Sequence, residues 1–127
     1  MSAALLNQGK TAIRDQLKTI FTKVSVSDDS TAFDPTQTAV NPAGGTTTVL
    51  TKNATYTDQT SIDNFTTDYT ITLDASVDTS FVGKYINTIA LSSATQVLAR
   101  IVRSLGIGFQ TGDVYTVGVR STVQDNS

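Results

Sequence analysis

Apolar residues follow two different rhythms along this chain, and the change falls near residue 22. Leu6, Ile13, Leu17, Ile20 and Phe21 recur at intervals of seven, four, three and one, which places them on one stripe of an α-helix. The spacing predicts an N-terminal amphipathic helix within residues 1–22, with Ser2 as N-cap candidate and Lys23 near the negative pole of the helix dipole. Gly9 loosens the first turn at a cost of roughly 1 kcal/mol against alanine. Lys10, Arg14 and Lys18 form like-charged steps of four on another side, softened by Asp15; that side is expected to face solvent or a partner.

Beyond Phe21 the period shortens to two. Val24 and Val26 point one way, and residues 28–45 then collect Asp, Ser, Thr, both prolines and the Gly44–Gly45 pair, predicting a long turn-rich loop. Residues 46–51 and 54–58 are expected to form a hairpin around Lys52 and Asn53. Phe65 to Leu73 alternates without a break, with Phe65, Thr67, Tyr69, Ile71 and Leu73 on one face, which predicts an antiparallel strand with one wet side. Residues 74–83 read as a loop, 85–91 and 97–103 as strands, 105–112 as a glycine-punctuated connection, and 113–123 as the last strand. Short strands at this interval predict a mainly β, single-domain chain over residues 1–127. Its expected architecture is an antiparallel β-sandwich of six or seven strands over residues 23–123, with the helix across one open end or face.

Composition narrows the chemistry. Threonine supplies 23 of the 127 residues, while histidine, cysteine, tryptophan and glutamate are absent. Threonine is β-branched and suits a half-exposed pleated surface. Without imidazole or thiolate, transition-metal sites lose their usual ligands. Charged residues make up only 16% and hydrophobic residues 39%, below the averages for globular chains, which points to a thin core completed by a partner subunit. The net charge of −2 and scattered basic residues argue against a nucleic-acid partner. No apolar run is long enough for a membrane span, and Met1 to Gln8 lacks the pattern of a signal peptide. Synthesis in a host cytoplasm is therefore expected.

Several constellations yield to simpler readings. Gly106, Gly108 and Gly112 resemble a dinucleotide-binding pattern, but the last glycine comes one position late and leads into a strand instead of a helix. The aspartates at 28, 29 and 34, at 58, 63 and 68, and at 74 and 78 lack the spacing of a calcium loop and suit Asx-turns. Neither a nucleophile elbow nor a Ser-x-x-Lys motif is present. No enzymatic activity, cofactor, metal or small-molecule substrate is expected. Tyr56, Tyr69, Tyr85 and Tyr115 are expected in core or cross-strand packing, with sugar stacking as the alternative.

The opening from Leu5 to Leu17, the polar stretch ending in Thr36 to Val40, the strand–turn–strand from Ile86 to Arg100 and the finish from Gln110 to Arg120 are spread along the chain from one end to the other. In these segments the chain resembles bacteriophage virion proteins of the tail-fibre, baseplate and neck modules. It departs from them at Val24 to Asp29, which stands where such proteins often carry a glycine-rich segment. The resemblance implies a non-enzymatic structural protein of the virion, tail-associated, in contact with other virion proteins and with copies of itself as a trimer or higher ring. A capsid decoration or cement protein and a receptor- or glycan-binding module are the alternative readings. In this picture Leu6, Ile13, Leu17 and Ile20 on the helix, and Phe33, Pro35 and Pro42 in the long loop, make the subunit contacts.

Overall fold

The computed structural model describes residues 6–124. One helix, α1 (Asn7–Ile20), precedes seven strands: β1 (Lys23–Ser27), β2 (Val49–Asn53), β3 (Thr55–Asp58), β4 (Thr66–Asp74), β5 (Tyr85–Ser92), β6 (Val97–Gly108) and β7 (Val114–Thr122). All strand pairs are antiparallel. They form a four-stranded sheet in the order β2-β1-β5-β6 and a three-stranded sheet in the order β3-β4-β7. The chain is a mainly β sandwich with one N-terminal helix.

The core lies between the sheets because alternation puts one set of apolar side chains inward from each. Val24, Val26, Ile86 and Leu91 come from the larger sheet and meet Tyr69, Ile71, Leu73 and Val119 from the smaller. Phe81, on a short 3-10 turn (Thr79–Phe81), and Phe109 plug the end near the β6–β7 crossing, with ring centroids 6.3 Å apart. Tyr115 packs on Phe109 and donates its hydroxyl hydrogen to the Gly108 carbonyl.

Two strand assignments read from the sequence need correction. Residues 46–58 do not form a hairpin: β2 pairs with β1, and β3 pairs with β4 in the other sheet. The chain changes layers at Ala54, whose amide donates to the Thr22 carbonyl, so both strands end up beside segments remote in sequence. Residues 105–108 are not a connection either, because β6 runs on to Gly108. Its pairing with β5 jumps from Thr88–Val102 to Ile86–Ile107, so residues 103–106 bulge opposite Asn87. Asn87 donates to the Arg103 carbonyl across the bulge. A Cβ at Gly106 would sit 2.8–2.9 Å from Tyr85 and Asn87, which is why glycine stands there. The glycines thus mark a bulged strand, and the true crossing is residues 109–113.

The helix begins at Asn7 after an extended Leu6, with no side-chain cap; the Ser2 cap lies outside the described residues. Gly118 decides how closely β4 and β7 approach. A Cβ there would lie 2.0 Å from the Tyr69 carbonyl oxygen, backbone that a neighbouring strand cannot withdraw cheaply. Gly118→Ala is expected to cost at least about 2–3 kcal/mol, as other forced overpackings do. A urea midpoint unchanged from the parent protein would show that the strands yield more easily than this geometry implies.

Candidate functional site

The loop at residues 28–48 does not project from the sandwich. It folds back over the outer face of the four-stranded sheet, and the small side chains beneath it make that possible. Ser25, Ser27, Thr88 and Ala90 are all buried on the face away from the core, opposite the apolar set. β1 and β5 are therefore covered on both sides, one by the core and one by the loop.

Arg100 anchors the loop. Its guanidinium donates to the carbonyls of Val40 (3.0 Å) and Thr31 (2.8 Å), to the Gln37 side chain (3.3 Å) and to the Thr88 hydroxyl (3.0 Å). It also faces the Asp29 carboxylate at 3.4 Å, with the two side chains 3% and 0% exposed. Asp29 in turn accepts from the amides of Thr31 (2.8 Å) and Ala43 (2.7 Å), and the Thr88 hydroxyl donates to its carbonyl. Asp28 ties down the far end by accepting from the Thr48 amide. Among the described residues no buried side-chain nitrogen or oxygen lacks a partner, so the network is closed. Burial works to raise the Asp29 pKa. The Thr31 and Ala43 hydrogen bonds and the Arg100 charge outweigh it and hold the carboxyl below its ordinary value of 3.8.

Two residues expected to make contacts, Phe33 and Pro35, stand on the outer side of this loop. Phe33 is 64% exposed and Pro35 is exposed, whereas Pro42 is half-buried. With Ala39 they form one wall of an open notch of about 270 Å³ whose other wall is Val97 to Arg100 of β6. The structure thus brings Phe33 and Pro35 together with Leu98, a residue not singled out from the sequence.

The helix docks by the side expected to face solvent or a partner. Lys10, Arg14 and Lys18 are not a solvated side: they dock α1 onto the domain. The Lys18 ammonium lies 3.0 Å from Asp58, Arg14 donates to the Asn64 carbonyl at 2.6 Å, and Lys10 sits 4.2 Å above the Phe65 ring. The Thr67 hydroxyl and the Lys18 ammonium keep the Asp58 pKa below its ordinary value, against the pull of burial. Leu17 packs against the core and Phe21 enters it. Leu6, Ile13 and Ile20 remain 75%, 40% and 44% exposed. The physical reason is that long cationic stems cover apolar surface while their heads reach carboxylates.

The longest run of exposed apolar residues was not anticipated. Leu98, Ile101, Leu105 and Ile107 of β6 are all exposed, Leu105 at 85%. Ile101 falls within the strand expected over residues 97–103, but only the sheet order shows that β6 lies at an edge, in a four-stranded sheet facing one of three. Of the tyrosines, Tyr69 is buried in the core, while Tyr56 and Tyr85 are exposed on different sheets.

No known protein family, curated protein or solved structure matched this chain.

Replacing Arg100 with methionine keeps most of the volume but strands the Asp29 charge. The expected loss is about 3–5 kcal/mol in urea unfolding, as for other broken buried pairs. Arg120→Met, which removes an exposed partner of Asp68, should shift the midpoint little. Equal shifts for the two variants would remove Arg100 from its role as anchor.

A carboxylate with a lowered folded-state pKa stabilises the fold above its unfolded value and loses that contribution as pH falls through the folded value. The urea midpoint is therefore expected to change little through this group from neutral pH down to the ordinary 3.8 and to decline below it. In an Arg100→Met, Asp29→Asn protein the Asp29 share of that acid decline should vanish; an unaltered profile would assign it to other carboxylates.

Proposed function

We propose that this chain is a non-enzymatic structural protein of a bacteriophage virion, most specifically a tail-associated component of a fibre base, baseplate or neck. It acts by stacking against copies of itself and other virion proteins. One observation carries the assembly reading: of the large apolar side chains exposed among the described residues, more than half lie along the helix (Leu6, Ile13, Ile20) or on and beside β6 (Leu98, Ile101, Leu105, Ile107, Phe33). Exposed apolar side chains grouped in this way are what subunit interfaces cover. The internal polar groups support the same reading, since the buried Arg100 and Asp29 are engaged in holding a loop. The virion assignment itself rests on the resemblance of the segments 5–17, 36–40, 86–100 and 110–120 to phage proteins.

Phe33 and the notch beside it favour attachment to a protein neighbour, because the notch is open and largely apolar. A clamp on a capsid shell would use the same surfaces, so location separates the two readings. Mass spectrometry of purified particles, followed by cryo-electron microscopy, is expected to find the chain in fixed stoichiometry at the tail or neck. Presence on the shell would favour the cement reading, and absence from particles would reject both.

Deleting residues 1–19 should leave a folded β-domain, because α1 docks through few groups while Phe21 and the Thr22 carbonyl serve the sandwich itself. Light scattering is expected to show a smaller assembly than the full chain forms. An unchanged mass would exclude the helix stripe from subunit contact.

A further inference from the structure

Polar side chains hold α1 to the sandwich. None of its residues is buried, and Leu17 is its one apolar side chain packed against the core. The body offers it a single carboxylate, Asp58 at the end of β3, which lies 3.0 Å from Lys18 and 3.7 Å from Arg14. The Thr67 hydroxyl donates to that carboxylate at 2.7 Å and fixes its orientation. The Asn64 carbonyl and the Phe65 ring complete the attachment through Arg14 and Lys10.

Detached from these groups, α1 is a poor helix. At 14 residues it is near the length below which isolated helices are marginal in water. Its first turn has neither a side-chain cap nor an acidic residue, and Gly9 lies inside it. Lys10, Arg14 and Lys18 stand four residues apart, a spacing at which like charges repel. Asp15, the only acid on α1, sits 2.9 Å from Arg14 and 3.3 Å from Lys18, so three cations still face one carboxylate. Asp58 supplies the missing counter-charge only when the helix is docked. Helix formation and docking are therefore one event.

We infer that α1 is a latched arm: residues 7–20 are helical while Lys18 and Arg14 engage Asp58, and they unfold as a unit when that engagement is lost. Phe21, buried in the core, and the Thr22 carbonyl, which accepts from the Ala54 amide, stop the opening at the strand. Opening uncovers the Phe65 ring beneath Lys10 and frees Leu17 together with Leu6, Ile13 and Ile20. An ion pair this accessible adds little to a stable element, but it decides the state of one whose total docking energy is small. The latch is a property of the single chain and holds whether or not the assembly proposed above exists.

Amide hydrogen exchange on the full chain tests it. In dilute buffer the amides of residues 11–20 are expected to be protected, though less than those of β4 and β7. Raising NaCl to about 1 M, where the Debye length is about 3 Å, should speed exchange across residues 11–20 together and leave β4 and β7 unchanged. Asp58→Asn should speed it about fivefold in dilute buffer and remove most of the salt response. Lys18→Met breaks the same contact from the helix side, leaves the Thr67–Asp58 hydrogen bond in place and should match it. Arg120→Met, which removes an ion pair of β7 remote from α1, should leave residues 11–20 at the parent rate. Residues 11–20 that keep the parent rate in both latch variants and in high salt overturn the latch and leave Leu17 as the anchor. Residues 11–20 that exchange only together with β4 and β7 overturn it as well, since α1 would then not open by itself. Should Asp58→Asn unfold the sandwich, Lys18→Met and the salt series still decide.

Discussion

A buried arginine, Arg100, fixes the shape of one entire face of this molecule. It reaches from β6 across the four-stranded sheet to Thr31, Gln37 and Val40 in a loop 60 or more residues earlier in the chain. Without that anchor the loop would have to find other partners for its backbone, and the hydroxyl face of β1 and β5 would be open to water. An ion pair this deeply buried offers little net stability over an apolar substitute of the same volume, because desolvation offsets the attraction. Its effect lies in geometry: five donors in a rigid fork satisfy two carbonyls, two side-chain oxygens and a carboxylate together. The arrangement specifies one loop conformation, and with it the notch walled by Phe33 and Pro35.

The consequences reach the proposed contact surfaces. β6 stands last in the order of its sheet, next to the ordered apolar wall that the loop supplies. Because the helix is held by Lys10, Arg14 and Lys18, its Leu6, Ile13 and Ile20 stripe is turned outward. Partly exposed ion pairs of this kind contribute little each, so α1 is the most easily detached element of the fold. In the assembly proposed above, the lightly attached amphipathic helix and the β6 edge would supply the contact surfaces of a rigid sandwich.

Much of the fold was legible because alternation is a direct consequence of strand geometry. Phe65 to Leu73 announced β4, and Val24 and Val26 announced the inner face of β1, since successive side chains of a pleated strand point to opposite faces. The layer change at Ala54 was not legible: a short polar dipeptide between two alternating runs looks the same whether it turns a hairpin or crosses between sheets. Gly106 and Gly108 read as a loop because a bulge also places glycine inside a strand. The burial of Ser25 and Ser27, opposite Val24 and Val26, was not legible from the alternation. Their small size was the available clue, since a covering loop needs flat ground. Phe33 and Pro35 were legible as outward residues of a long loop, while Arg100 looked like any strand arginine. Its role depends on contacts with residues 29–40, which no local pattern encodes.

Amide hydrogen exchange of the parent protein, resolved by residue, tests the central claim most directly. If Arg100 and Asp29 make the loop part of the fold, the Thr31 and Ala43 amides, bound to the Asp29 carboxylate, should exchange as slowly as those of β1 and β5. Thr31 and Ala43 exchanging as freely as an unstructured chain, while the strands stay protected, would contradict it.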